Sequence, residues 1–332
     1  MIRFGQIGVG GEGTIYTPII AENPACRLAA VCDINKEVLD RVAGERKANA
    51  YTDFREMIEK EDLDAVAIIL PHYLYPEAVG LAAKKNLHIL QEKPFARNLP
   101  DAKKIVKALK GYKGIYMLSA QRKYSPAFQK AKEIIKSGSI GKVQLIEAYA
   151  QYRFTRTSES FGWRTKKKLS GGLAIIDFGW HMLDTIYWIK GMPSRVYANT
   201  CGIKALEGKN DIDETANIIL EYADGSSAVV LTSITSIGRC WEFTFQCTKG
   251  TIKFSPCLVE TYDKEKLIEK LDITKTEPEM FAAQFNVFLN AVQTGKKPLT
   301  GPAYGLNLSR IAEAAYRSAS SGKPVLLKNL TG

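Results

Sequence analysis

Gln91-Glu92-Lys93-Pro94 follows the short apolar run Leu87-His88-Ile89-Leu90, so a lysine stands where a buried strand ends, with a proline fixing the turn after it. In open α/β sheets ligands bind beyond the carboxyl ends of the strands. A lysine held there can donate a hydrogen bond to a reacting oxygen, and burial or a nearby positive charge lowers its pKa. A second candidate lies in residues 171–190, where Gly171-Gly172 precedes a helix-like stretch that is apolar nearly all round and carries Asp177, His181 and Asp184. A helix of that composition is buried. Spacing of i, i+4 and i+7 places the three ionisable groups on one helical face. Ionised groups in such a place need partners or a polar cavity. A lone buried histidine is most simply a satisfied core residue. A histidine beside two carboxylate positions, behind a glycine pair, is a candidate general base. Asp184, deeper in the helix, reads as structural.

A third constellation binds rather than reacts. Gly8-Val9-Gly10-Gly11-Glu12-Gly13 satisfies G-x-G-x-x-G through Gly8, Gly10 and Gly13, and Asp33 stands twenty residues beyond Gly13. The pattern alone is weak. Here it follows a strand pattern and precedes a helix pattern, the context of a dinucleotide loop, in which glycines admit a pyrophosphate and the helix N-terminus supplies N–H groups. Asp33 would accept hydrogen bonds from ribose hydroxyls, which favours NAD, while Asn35 and Lys36 nearby leave NADP open. Leu70-Pro71-His72-Tyr73-Leu74-Tyr75 lies at another strand end on the same edge, so Leu70, Pro71 and Tyr75 are candidate cofactor contacts. Glu92 beside the lysine, Lys93 itself, and Gln121 just beyond the last strand pattern complete that set.

These residues need an edge on which strand ends gather. Residues 2–119 alternate apolar runs (Ile2–Val9, Arg27–Cys32, Asp64–Leu70, Leu87–Gln91, Gly114–Leu118, with a weak one at Ala48–Tyr51) with helix-period segments near Thr17–Glu22, Lys36–Ala43, Asp53–Glu59, Pro76–Lys84 and Pro100–Leu109. That alternation predicts a doubly wound parallel sheet, an α/β fold of the Rossmann kind. After a helix pattern at Pro126–Lys136, strand-like runs dominate at 142–154, 194–203, 214–223, 226–235, 240–247 and 251–254, with a hairpin signal at Ala223-Asp224-Gly225. They predict an open, mostly antiparallel sheet in a second α/β domain, one face of which must be covered by helices or by another subunit. At 332 residues two domains are the default. The division is expected at 1–121 for the dinucleotide and 122–332 for substrate and assembly, with closing helices over 279–319 packing back on the first domain.

Composition is that of a soluble globular protein. No apolar run reaches a membrane span and no signal peptide precedes the first strand pattern, which predicts a cytoplasmic protein. Six scattered cysteines read as free thiols, several of them buried. The net charge of +11 is spread over helix-like segments with no nucleic-acid motif, so solvated helix faces explain it. Of three histidines, His88 is expected to be exposed and His72 lies in the loop at the cofactor edge. No zinc-ligand spacing and no G-x-S-x-G elbow is present, so no metal site is expected and serine hydrolysis is disfavoured.

Taken together the chain resembles the Gfo/Idh/MocA oxidoreductases, nearly end to end. The resemblance rests on the glycine loop, Asp33, Glu92-Lys93-Pro94, Arg122, Gly138-x-Ile140-Gly141, Trp163-Arg164, Gly171-Gly172, Asp177-x-x-x-His181-x-x-Asp184 and Ser318-x-x-x-Gly322. It implies a Rossmann domain followed by an α/β domain whose open sheet often mediates a homo-oligomer. It implies hydride transfer between a sugar or polyol carbon and nicotinamide, with Lys93, Asp177 and His181 at the catalytic positions and Trp163 and Arg164 in a segment that approaches the cofactor. Two departures stand out: Pro71-His72-x-x-Tyr75 replaces the usual Pro-Asn-x-x-His, and Leu173 replaces a third glycine before the Asp/His helix. The rival readings are a non-catalytic nicotinamide sensor, and a nucleotide-sugar or pigment reductase using Arg153, Arg156 and Lys166–Lys168, charges that a solvated loop would equally explain.

Overall fold

A computed structural model describes residues 1–153, 157–273 and 277–330. In chain order the first third contains β1 (Ile2–Ile7), α1 (Gly13–Ala21), β2 (Cys26–Cys32), α2 (Lys36–Arg46), β3 (Asn49–Tyr51), α3 (Phe54–Lys60), β4 (Ala65–Ile68), α4 (Tyr75–Lys84), β5 (His88–Gln91), α5 (Leu99–Ala108) and β6 (Tyr116–Leu118). Then follow α6 (Pro126–Ser137), β7 (Val143–Arg153), two single turns α7 (Ser158–Phe161) and α8 (Lys167–Ser170), and α9 (Trp180–Lys190). The strands β8 (Arg195–Thr200), β9 (Thr215–Glu221), β10 (Ser227–Ser233), β11 (Thr235–Cys247), β12 (Gly250–Ser255), β13 (Leu258–Asp263) and β14 (Lys266–Asp272) precede α10 (Glu277–Thr294), α11 (Pro302–Ser321) and the short β15 (Val325–Leu326). By their internal contacts the residues form two compact units, Met1–Gln121 with Glu277–Leu306 and Arg122–Thr276 with Asn307–Gly332.

In the first unit six strands lie in the order β3-β2-β1-β4-β5-β6, all parallel. The strand order turns back between β1 and β4, the place where such sheets hold dinucleotides. Strands covered on both faces have no polar side to show, and β4 is buried at every position. Side chains cap the helices that return the chain: Asn35 accepts from Val38 N–H, Asp53 from Arg55 N–H and Asn98 from Asp101 N–H. The helix α10 seals this unit with Phe281 against Tyr16, and with Phe285 and Phe288 against Phe4.

The second unit is built on nine strands in the order β14-β13-β12-β11-β7-β10-β9-β8-β15. Every neighbouring pair is antiparallel except β7 with β10. Alternation sets its two faces: Ile146, Ala148, Ala150, Val196, Ala198, Ile218, Leu220, Ala228 and Val230 are buried, while Tyr197 and Ile219 on the opposite side are exposed. Gly225, at φ +85°, closes the β9–β10 hairpin where the Asp-Gly signal stands. The strands β13 and β14 escaped the sequence reading. Lys266, Glu269, Lys270 and Asp272 make β14 an edge strand rich in charge, which protects an edge but hides its pattern. His88 departs from expectation as well. It is half-buried, its Nδ1 accepts from Ile115 N–H at 3.0 Å, and burial holds its pKa below the usual histidine range.

All six cysteines are free, with Cys26, Cys32 and Cys247 buried and Cys201 and Cys257 exposed. Among the described residues no helix is long and apolar enough to cross a membrane. Phe154 and Arg156 of the sequence expectations lie outside the described residues.

Candidate active site

The glycine loop runs from the end of β1 into α1. A Cβ on Gly8 would meet Ile69 O at 1.9 Å and one on Gly13 would meet Gly8 O at 2.2 Å, so these two glycines are demanded by the turn itself. Gly10 and Gly11 are different. A Cβ on Gly10 would meet only Asp33 Oδ2, at 3.7 Å, and one on Gly11 would meet nothing within 4 Å, although its φ of +50° is left-handed. The protein leaves their outer surface open, as a backbone that must approach a pyrophosphate requires. Exposed Gly11 and Glu12 lead directly into α1, whose N-terminal dipole favours an anion. Asp33, at the end of β2, accepts from Val9 N–H at 3.0 Å and Gly10 N–H at 3.1 Å through Oδ2, and from Asn35 N–H at 2.9 Å through Oδ1. The carboxylate expected to meet a ribose therefore also holds the loop. Gln6, which sequence reasoning missed, ties the loop from below by donating to Gly8 O at 3.1 Å and Gly13 O at 2.8 Å. These residues fit a dinucleotide.

Leu70 and Pro71 are half-buried on the same edge. Tyr75 and Glu92 turn their side chains inward. Tyr75 is 1% exposed, stacks on His72 with ring centroids 5.9 Å apart, and its hydroxyl lies 3.4 Å from Lys93 O. The carboxylate of Glu92 accepts from Tyr16 Oη at 2.6 Å inside the unit. Gln121 is buried beyond β6. Lys93 itself is half-buried at the end of β5, with a cis peptide bond to Pro94. Gln91 steadies the turn: its Nε2 donates to Phe95 O at 2.8 Å while its Oε1 accepts from Tyr116 Oη at 2.7 Å.

In the second unit Asp177 and His181 sit at a junction the periodicity did not reveal. Residues Ala174–Phe178 form a π-helical turn, and α9 begins only at Trp180. Wider turns of this kind recur at functional sites. Its cause is tertiary. Asp213 accepts from Leu173 N–H at 2.9 Å, Ile175 N–H at 2.7 Å and Tyr316 Oη at 3.1 Å, while burial pushes its pKa above the carboxylate range. Thr232 Oγ1 donates to Ala174 O at 2.9 Å. Gly179 bridges the two helical forms, where a Cβ would meet Ala174 O at 2.6 Å.

Asp177 is 3% exposed and accepts from Arg164 Nε at 3.1 Å. The Arg164 guanidinium lies 4.6 Å from the Trp163 ring centroid, so Trp163, Arg164 and Asp177 form one cluster. His181 packs edge-on against Trp180 and Trp241, and Arg122 covers Trp241 at 4.7 Å. Asp184 pairs with buried Lys123, whose pKa burial lowers against the pull of that carboxylate. Leu173 is wholly buried in a cluster with Phe161, Leu206, Ile212 and Ile234, so its departure from glycine fills the core. Arg153 and Lys166–Lys168 are exposed.

Comparison with known proteins gives the family. Residues 2–120 match the oxidoreductase family with the NAD-binding Rossmann fold, and residues 128–253 match the GFO/IDH/MocA C-terminal domain. A D-xylose 1-dehydrogenase (NADP(+)) of Haloferax volcanii is 25% identical over 98% of this chain and 100% of its own. A myo-inositol 2-dehydrogenase of Thermotoga maritima is 27% identical over 69% of this chain and 67% of its own. The solved structure of a levoglucosan dehydrogenase in complex with NADH superposes with a TM-score of 0.91 at 21% identity, covering 98% and 99% of the two chains, which shows the shared fold. The chain belongs to the Gfo/Idh/MocA family of NAD(P)-dependent oxidoreductases, and residues 2–120 are its NAD-binding Rossmann domain.

Proposed function

We propose that the enzyme moves a hydride between a hydroxyl-bearing carbon of a sugar or polyol and NAD, with Lys93 and His181 handling the proton and the alkoxide. The observation that carries the reading is the edge of the parallel sheet, where an open glycine turn, Asp33 and a lysine gather at strand ends. The relatives named above act on xylose and inositol, which supports a polyhydroxylated substrate. For oxidation, His181 takes the hydroxyl proton as general base. Lys93 donates to the developing alkoxide and holds it. Asp177, kept in place by Arg164, accepts from a neighbouring hydroxyl and fixes which carbon reacts. Bound NAD supplies the hydride acceptor, and NADH the donor for the reverse direction.

Gly8, Gly10, Gly11, Glu12 and Gly13 would hold the pyrophosphate, Asp33 the ribose hydroxyls, and Leu70, Pro71, Trp163 and Arg164 would border the remainder. Asp33 repels a 2′-phosphate, so NAD is preferred over NADP. Residues 1–121 serve the cofactor, and 122–332 serve substrate and self-association through the open face of the nine-stranded sheet, in the reducing cytoplasm.

A screen of sugars and polyols with both cofactors, followed by reduced-nicotinamide absorbance, tests this. Turnover of at least one polyol, faster with NAD, is expected. Tight NADH binding with no turnover of any alcohol in either direction would contradict it and favour a sensor.

A further inference from the structure

The second unit holds a cavity that the proposed reaction does not use. Its volume is about 290 Å³, and it lies between the end of β8, the segment leading into β9, the turn α8 and the C-terminal half of α11. All of these belong to that unit. Neither Asp177 nor His181 lines the cavity. Its size is at the lower end for a small-molecule site.

Two lysines line it, Lys167 from α8 and Lys204 from the segment after β8. Lys204 Nζ donates to Asn210 Oδ1 at 3.2 Å and to Ile212 O, which leaves one of its three protons for a ligand. Lys167 Nζ lies 5.4 Å from the Tyr316 ring centroid. Among the described residues neither ammonium is paired with a carboxylate. The two carboxylates of the lining are engaged with backbone and hydroxyl donors. Asp211 Oδ1 accepts from Lys167 N–H at 2.6 Å, and Asp213 accepts from Leu173 N–H, Ile175 N–H and Tyr316 Oη. Thr200 and Ser320 add hydroxyl donors. Ammonium and hydroxyl groups together suit the oxygens of a phosphate. The cavity has room for a short polyol chain beside it.

The same wall holds the π-helical turn. Tyr316 donates to Asp213, and Asp213 organises the N–H groups that begin the turn carrying Asp177. A ligand that fixes Lys167 over Tyr316 therefore braces this chain of contacts.

We propose that the cavity binds a small phosphate monoester through Lys167 and Lys204, and that its occupancy stabilises the turn Ala174–Phe178. The proposal stands apart from the roles assigned to Asp177 and His181, because its readouts need no turnover.

Exposed Cys201 lines the cavity and exposed Cys257 does not, so the protein carries both a probe and a control. Alkylation of the intact protein by iodoacetamide, a neutral reagent, is followed at both cysteines by mass spectrometry. Glycerol 3-phosphate, inorganic phosphate and sodium chloride are compared at equal ionic strength. At about ten times its dissociation constant, glycerol 3-phosphate should slow alkylation of Cys201 about tenfold and leave Cys257 unchanged. Inorganic phosphate at the same concentration should protect less. Lys204→Gln removes one charged donor and should weaken binding about tenfold. Lys167→Gln should do the same, and because Lys167 is exposed it carries the test if Lys204→Gln does not fold. Hydrogen exchange at Leu173 and Ile175 should slow in step with occupancy. Equal Cys201 rates with glycerol 3-phosphate and with chloride, or protection that survives both lysine substitutions, overturn the site. Equal protection by inorganic phosphate overturns the monoester, and protection without slower exchange overturns the link to the turn.

Discussion

Three carboxylates show how much a residue owes to its neighbours. Asp33 is held by backbone N–H groups, Asp177 by Arg164, and Asp184 by Lys123 in a fully buried pair. The structural character of Asp184 was legible from its depth in an apolar helix, but its partner was not, since Lys123 lies 61 residues away. Replacing Lys123 by Met removes that cation and should cost about 3–5 kcal/mol, because a buried carboxylate is left behind. Lys123→Met with Asp184→Leu should recover most of the loss, as apolar replacement of a whole buried pair is often neutral. Thermal melts of the single and double variants check this, and a single variant that melts with wild type would remove the pair from the account of stability. Glu92 adds a pH dependence. Its folded pKa stands above the unfolded value, so the folded state binds the extra proton between about 4.5 and about 7. Stability is therefore fullest below that window and falls as pH rises through it. Glu92→Gln should flatten this slope in urea unfolding series taken across that range. An unchanged slope would show that Glu92 ionises at its ordinary pH.

At the scale of elements the alternation of strands and helices in the first third was plain in the sequence, because the parallel strands are short and mainly apolar, β4 entirely so. The π-helical turn at Ala174–Phe178 was not, because local periodicity does not report the distant Asp213 that organises its first N–H groups. Gly172 belongs to the same device. Its φ is +137°, and a Cβ there would meet Tyr316 Oη at 2.0 Å and Asp213 Oδ1 at 2.5 Å. Gly172→Ala should cost about 2–4 kcal/mol through backbone strain and displacement of these two partners. Urea unfolding measures it, and a midpoint equal to wild type would mean that the turn does not depend on that close approach.

At the scale of the molecule, an open antiparallel sheet was expected to need one face covered by helices or another subunit, and the structure gives its outer face: Tyr149 and Gln151 on β7, Tyr197 on β8, Ile219 on β9. The expected assembly through this face should appear in sedimentation velocity as a species larger than 36.8 kDa, and Ile219→Lys should shift it toward the monomer. A monomer at every concentration would contradict that expectation. The proposed reaction uses a lysine of one unit and a histidine of the other. Its most direct test is kcat of Lys93→Met and His181→Ala on a responsive polyol, with NADH affinity measured in parallel. Loss of general acid–base and alkoxide stabilisation should lower kcat by about 10²–10⁴-fold in each while cofactor affinity stays within about threefold. Turnover near wild type in both variants would contradict the claim.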